Sequence, residues 1–377
     1  MSNPLYDVAV LGGGPAGSAC AISLRRNFPG LQVILLERSR YTEARIGEAL
    51  PAAALPLLRQ LGIAADSLAE LGVRSHSVAS AWGEPTLIEQ HSLLSTAGNG
   101  LHLDRNRFDR MLCERASTNG VCVRLGTRFH NAQRERDLWR LQLNHAKELH
   151  ARFIVDATGQ SAVFARSQGI IRYTLDHLTS YSCFFSGQGD AESRILIEAC
   201  ELGWWYTAPL PRGRRIVSFL SDVDLAREAG LPGLDTWLHQ LAGTEHIAPL
   251  VASLMRETNC IVKPASTAFL SAPGGEGWLA TGDALASCNP LAAQGITKAL
   301  HSGILASFAA ADALAGNAQT SFSRYGALLA RNFESYLHQH AMHHAQERRW
   351  PDQPFWIRRS RNAAQEPEPQ PYAMATL

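Results

Sequence analysis

The chain lacks a long hydrophobic run, a CxxC pair and an excess of charge of either sign. No apolar stretch in its 377 residues reaches the roughly 18 to 20 needed to span a bilayer, because Gly, Pro and charges interrupt each candidate. No membrane attachment is expected. Lys and Arg number 35 against 34 Asp and Glu, so no global field recruits nucleic acid or an anionic surface. The seven cysteines (Cys20, Cys113, Cys122, Cys183, Cys200, Cys260, Cys288) are scattered, which fits reduced thiols better than a disulfide frame. The N-terminal MSNPLYDVAVLGGG enters a strand pattern at once, without the basic, apolar and small-residue order of a signal peptide. A cytoplasmic location is the expectation. His338, His340, His343 and His344 invite a metal reading, but neither an HExxH pattern nor a partnering carboxylate accompanies them, so no metal is expected. No Ser/His/Asp array stands out, although such a triad needs no particular sequence order.

What is present begins with a βαβ unit over residues 5 to 38: YDVAVL, the glycine turn GGGPAG, a helix, and QVILLE. RNRFDRMLCERA reads as a helix with Asp104 as its N-cap and Phe108, Met111 and Leu112 on one face. RFIVDATG and GWLATGDALA read as two short parallel strands whose C-terminal ends feed a ligand site. Between them, runs such as YSCFFSG and RRIVSFLSD suggest an antiparallel sheet. Residues 297 to about 315 and 321 to 349 read as helices, and AAQEPEPQPYAMATL as a disordered tail.

Gly12, Gly14 and Gly17 form GxGxxG between strand and helix. The first permits the turn, the second lets a pyrophosphate approach the backbone, and the third packs helix on strand. Pro15 and Ala16 complete this turn. Glu37, twenty residues beyond Gly17, ends the second strand where a carboxylate can accept from adenosine ribose hydroxyls, with Arg38 beside it. These glycines do not separate NAD from FAD.

A second segment does, through a resemblance. GDALASCNPLAAQG, with Gly282, Asp283, Pro290 and Gly295, resembles the GDxxxxxxPxxxxG pattern of the flavoprotein aromatic hydroxylases, tryptophan halogenases and geranylgeranyl reductases. The resemblance implies that Asp283 binds ribityl hydroxyls and that the helix starting near Gly295 and Ile296 points its positive end at the flavin. DATGQSAVFAR is similar to the middle motif of that superfamily, implicating Asp156 and Gly159, and HLDRNRFDRML to its Arg-containing helix, implicating Arg105 in a pyrophosphate or ribityl contact. RIGEALP resembles the KxGE loop of the halogenases and reductases, with Arg45 at the position of the halogenase lysine. A guanidinium stays protonated and does not offer a neutral amine, which disfavours halogenation. Because that loop passes close to the flavin in those families, the resemblance also implies a cofactor contact for Arg45; Arg45 and Glu48 are the candidate catalytic residues, and a loop-ordering role for Glu48 is equally open.

GWWYTAPLP, GDALASCNPLAAQGI and ERRWPDQPFWIRR together resemble a narrower group, the flavoproteins that mature tryptophylquinone enzymes of the lysine ε-oxidase, glycine oxidase and quinohemoprotein amine dehydrogenase systems. Trp82, Trp204, Trp205 and Tyr206 then either line a pocket facing the flavin or form ordinary core aromatics. The implied fold is α/β: a Rossmann-like FAD-binding domain of glutathione-reductase type (1–75, 100–170, 262–315), an inserted antiparallel substrate domain (76–99, 171–261), a C-terminal helical segment (316–360) and a disordered tail (361–377). The implied function is FAD-dependent monooxygenation of an indole, with O2 as co-substrate and NAD(P)H or another reductant as donor. The expected partner is the precursor of a quinoprotein oxidase or dehydrogenase, whose Trp is the substrate. The rivals are a hydroxylase or halogenase of a small aromatic metabolite, an alkene reductase, and a flavoprotein chaperone that binds a precursor without oxidising it.

Overall fold

The computed structural model describes residues 4–75, 77–91, 99–187 and 193–364. Its first layer is a sheet whose parallel core runs in the order Trp278–Ala280, Glu148–Asp156, Leu5–Leu11, Val33–Glu37, Cys122–Leu125. Val8, Ala9 and Val10 on the central strand, with Val33, Ile34 and Leu35 on its neighbour, are sealed on both faces. Such continuous apolar runs are what a parallel sheet covered on both sides requires. The strands Phe129–Glu135 and Leu138–Leu143 extend the sheet antiparallel.

The helix Pro15–Asn27 follows the glycine turn and packs on Gly295–Leu314. A Cβ at Gly303 would fall 2.2 Å from the carbonyl of Ala16, so these helices approach backbone to backbone. A 2.6 Å hydrogen bond between Ser23 Oγ and Ser307 Oγ links them further along. Asp104 caps Arg105–Thr118 by accepting from the N–H of Arg107 at 3.2 Å.

The second sheet has the order Met255–Arg256, Leu178–Ser186, Arg214–Asp222, Gly203–Leu210, Ile195–Cys200, Ser77–Ala81, Ile88–His91. It departs from the expected antiparallel sheet at one place: Ile195–Cys200 runs parallel to Ser77–Ala81. The reason is topological, because Ser77–Ala81 arrives from a separate excursion of the chain and needs no hairpin to reach its neighbour. Its outer face packs Trp205, Phe219 and Val217 against Trp237, Leu241 and Ile247.

The C-terminal helices close over the other face. Ala318–Gln346 precedes Pro354–Ala364, and Trp356 Nε1 donates to the carbonyl of Cys200 at 3.0 Å, while Arg359 pairs with Asp222 at 2.8 Å. These anchors carry helix to Ala364, four residues into the segment expected to be disordered. The rest of that tail, 365–377, lies outside the described residues.

Candidate functional site

The turn after the first strand is held from three sides. Gly12 has φ +106°, and a Cβ there would lie 2.3 Å from the carbonyl of Ala157; a Cβ at Gly17 would lie 1.9 Å from the carbonyl of Gly12. Neither neighbour can yield, because both are backbone. Glu37 accepts from Gly13 N at 2.7 Å through Oε2 and from Ser39 N at 2.8 Å through Oε1. Tyr41, in the left-handed region at φ 58°, donates its hydroxyl to the carbonyl of Gly13 at 2.7 Å. The carboxylate that closes the βαβ unit therefore also fixes the glycine turn. Arg38 lines a polar cavity of about 520 Å³ beside it, with Ser39, Glu43, Gly126, Arg128, His130 and Asn144.

Arg45 stands next to Glu37. Its guanidinium pairs with Asp109 at 2.7 Å, donates to Ser39 Oγ at 2.7 Å, reaches Glu37 at 3.4 Å and lies 4.8 Å from the Tyr41 ring centroid. Burial opposes its charge, but Asp109 and then Glu37 outweigh that and raise its pKa further. Arg105 is equally occupied: it donates to the carbonyls of Gly47 at 2.6 Å and Ile46 at 3.1 Å and pairs with Asp109 at 3.2 Å. Both arginines thus strap the loop at residues 45–47 to the helix Arg105–Thr118. Asp109, inside the HLDRNRFDRML segment but not singled out by it, is the buried hub of this network.

Asp156 is fully buried and spends both oxygens locally, on Thr158 N (3.0 Å) and Oγ1 (2.6 Å) and on Ala165 N (2.8 Å). Burial nonetheless raises its pKa. Gly159, at φ +68°, faces open space. The loop from Gly282 is clamped by Arg172, whose guanidinium donates to the carbonyls of Asp283 and Ala284 at 3.1 Å and to Ser287 Oγ at 2.9 Å. Pro290 opens a short helical turn ahead of the helix that starts at Gly295, and the side chain of Ile296 is buried in the core. Asp283 is paired with Lys298 at 2.8 Å. Burial would lower the lysine's pKa, but Asp283 and Cys288 reverse the shift and raise it.

These residues fit a dinucleotide on three counts. A Cβ at Gly14 or Gly295 would meet no atom within 4 Å, so the backbone there borders free space. Thr281 Oγ1 and Thr297 Oγ1, flanking the Gly282–Gly295 loop, are buried without a hydrogen-bond partner among the described residues. Each is a donor and acceptor awaiting a group. The ends of the strands Leu5–Leu11, Val33–Glu37 and Glu148–Asp156 converge at this edge, as ligand sites of open parallel sheets do.

The aromatic candidates divide. Side chains alternate along Gly203–Leu210. Trp205 goes to the outer face, 4.9 Å from Phe219 and 5.2 Å from Trp237, centroid to centroid. Trp204 and Tyr206 share the opposite face. There Tyr206 packs against two buried clusters, one of which also takes in Ile46 of the arginine-strapped loop and the other Leu291 of the Pro290 turn. Trp82 also meets Trp204, at 6.4 Å, along with Trp356 and His344, and donates its N–H to the carbonyl of His343 at 2.9 Å. Tyr206 faces buried Glu48; burial, then this carboxylate, push the phenol well above its ordinary pKa.

The sequence reading missed a row of hydroxyls on the same face. Ser182 lies opposite Ser218, and Ser218 opposite Tyr206, by strand register. Ser180, Ser182 and Ser218 are buried and linked Oγ to Oγ at 2.7 Å each. Trp204 Nε1 is buried with no hydrogen-bond partner among the described residues. No motif marks these serines, because only register brings them together. His340 and His344 do come together, with rings 4.2 Å apart, but they belong to this aromatic packing and to a 3.0 Å contact with Asn289.

Comparison with known proteins agrees with this geometry. Residues 5–188 match the FAD binding domain family. The chain is 30% identical over 367 residues to a protein named as FAD-dependent oxidoreductase LodB, of Marinomonas mediterranea, covering 94% of this chain and 96% of that protein. It is 25% identical to the 1H-pyrrole-2-carbonyl-[peptidyl-carrier protein] brominase of Pseudoalteromonas luteoviolacea, covering 83% and 79%. The myxobacterial chondrochloren halogenase CndH shares the fold with a TM-score of 0.83 at 22% identity, over 94% of this chain and 86% of that one.

Proposed function

The chain belongs to the FAD-dependent oxidoreductases built on this FAD binding domain, and from that premise we propose that it oxygenates the indole of a Trp within a precursor polypeptide, during formation of a tryptophylquinone cofactor. Bound FAD would supply the redox chemistry, carrying two electrons to O2 so that an oxygen atom becomes available for transfer. Gly12, Gly14, Gly17 and Glu37 would hold its adenosine and pyrophosphate portion, and Asp283 with the Gly295 helix end its flavin portion.

The observation that carries this reading is the seating of Trp204 and Tyr206 on the sheet face that meets both cofactor loops. Tyr206, Ile46, Ile197 and Leu291, which line that junction, are each only partly buried. An access of this kind suits a side chain presented by a polypeptide. The Trp204 ring excludes water from one side, while the Tyr206 hydroxyl, opposite Glu48, is a group that can hold a proton at its oxygen. Arg45 favours oxygen transfer over halogenation: its guanidinium is permanently charged and held by Asp109, Ser39 and Glu37, so it offers no neutral amine.

The test is co-expression with a candidate quinoprotein precursor, reductant and O2, followed by mass spectrometry of the precursor's Trp residues. Gain of oxygen on one Trp supports the reading. Turnover of free tryptophan or a phenol with the precursor untouched assigns the protein to small aromatics instead. A bound but unoxidised precursor assigns a chaperone role.

A further inference from the structure

The helix Gly295–Leu314 carries a cation where helix electrostatics disfavour one. A helix N-terminus is positive and selects anions, yet Lys298 lies in the first turn and no acidic residue accompanies it there. Its ammonium turns inward, donating to Asp283 Oδ1 at 2.8 Å and to the carbonyl of Ala286 at 2.6 Å, 3.7 Å from Cys288 Sγ. The helix end and the ammonium therefore meet at the loop that the Arg172 guanidinium also clamps. Asp283 is the carboxylate that answers them, and its side chain remains 40% exposed. Beside this pair, among the described residues, Thr297 Oγ1 is buried without a partner and the space over Gly295 is open. Donors, free space and a net positive field coincide, which suits an electron-rich, hydrogen-bonding group.

We propose that Lys298 is a positioning residue that neutralises Asp283, so that the positive helix end favours the reduced form of the bound cofactor over the oxidised form. The inference rests on FAD occupying this edge and is independent of where oxygen is transferred. Without the ammonium, the Asp283 carboxylate loses its direct ion pair at the helix end, keeping only the Arg172 guanidinium that bonds the Asp283 carbonyl as a nearby cation, and cancels part of the helix field. Electrons added to the cofactor then meet a negative neighbour. Lys298 also sets the direction of the carboxylate by claiming Oδ1, so its removal should loosen cofactor binding as well.

The experiment compares FAD-loaded wild type, K298M, K298R, D283N and the K298M/D283N double variant. Midpoint potentials are measured by dye equilibration without substrate or O2, and FAD affinity by quenching of flavin fluorescence. K298M is expected to lose about tenfold in preference for reduced over oxidised FAD, a potential about 30 mV more negative for this two-electron couple. K298R should hold the wild-type potential, D283N should raise it, and the double variant should recover most of the K298M loss. An unchanged potential in K298M overturns the proposal, as does a double variant shifted as far as K298M alone. If K298M retains no FAD, D283N and the double variant still decide, since a D283N potential at or below wild type also overturns it. These potentials involve no substrate, so failure here leaves the oxygenation reading standing, and failure of that reading leaves Lys298 untouched.

Discussion

Around the parallel sheet the groups of the candidate site come from short runs of consecutive residues, each tied to a neighbour's backbone: Glu37 to Gly13, Asp156 to Ala165, Arg105 to Gly47. In the second sheet the comparable groups come from three strands and meet only through register, Ser182 with Ser218 and Ser218 with Tyr206. The first arrangement ties local chain direction to function, so a single backbone shift is felt at the ligand. The second lets one strand serve two purposes: Trp205 supports the outer core while Trp204 and Tyr206 pack on the opposite face.

The comparison breaks most visibly at Trp205. If this residue belongs to the outer core alone, Trp205→Ala should cost about 3–5 kcal/mol of stability, as expected for deleting a large buried aromatic, read as a lower urea midpoint. FAD affinity of the protein that still folds should be unchanged. A variant of near-normal stability that fails to turn over substrate would instead return Trp205 to the site.

Acid should act through buried histidines outside these two sheets, His102 on the strand Gly100–Leu103 of a small third sheet and His340 on the helix Ala318–Gln346. His102 is fully buried, both ring nitrogens lack a partner among the described residues, and burial followed by nearby Arg215 lowers its pKa to about 4. Its folded value lies below the unfolded one, so the folded state binds the proton less readily. The associated stability is fully present above pH ~6.5 and is lost as pH falls from there through about 4, by roughly 3 kcal/mol at 1.36 kcal/mol per unit. His340, in the C-terminal helix, is lowered to about 4 by burial and Arg359 and adds to the same limb. Urea midpoints between pH 7 and 4.5 should fall steeply in the wild type and less in His102→Gln. An equal slope in both would remove His102 from the account.

The glycine turn is the sharper test of the first region. Gly17→Ala places a methyl 1.9 Å from the carbonyl of Gly12, an overpacking of about 1–3 kcal/mol, or roughly 10- to 100-fold in FAD affinity if the turn moves. Gly295→Ala meets no protein atom. It should leave the melting temperature of the FAD-free protein unchanged and weaken only FAD binding. Equal FAD affinity in Gly295→Ala and wild type would show that the space over Gly295 is not the ligand's.

How much of this the sequence disclosed follows the same division. The βαβ unit, the Asp104 cap and the parallel strands were legible because period, turn chemistry and capping are local. Arg45 and Arg105 were picked out as residues, but not their common partner Asp109, which lies in the same HLDRNRFDRML segment four residues beyond Arg105 and is shown to hold both only once the loop is folded onto the helix. The grouping of Trp204, Trp205 and Tyr206 treated neighbours in sequence as neighbours in space, whereas a strand sends them to opposite faces. Lys298 followed a recognised motif by three residues and carried one readable signal, a cation in a first helical turn. The hydroxyl row carried none, since serines in strands become a row only once register is known.

The smallest effect bears on the face that register built. Trp204 Nε1–H is buried and without a partner among the described residues, a state that costs about 1–3 kcal/mol against a satisfied donor. Trp204→Phe removes that donor and some ring volume together, so the two contributions oppose and stability should change by less than about 1 kcal/mol. The hydroxyl row beneath it has three protons for two links, and the remaining one also lacks an acceptor in these contacts. An acceptor brought by the substrate, such as a backbone carbonyl beside the target ring, would satisfy both donors. Trp204→Phe should therefore raise KM for a polypeptide substrate while leaving kcat and FAD affinity near wild type. A fall in kcat at constant KM would place the indole in the chemical step rather than in recognition, and no change in either would make Trp204, like Trp205, a core residue.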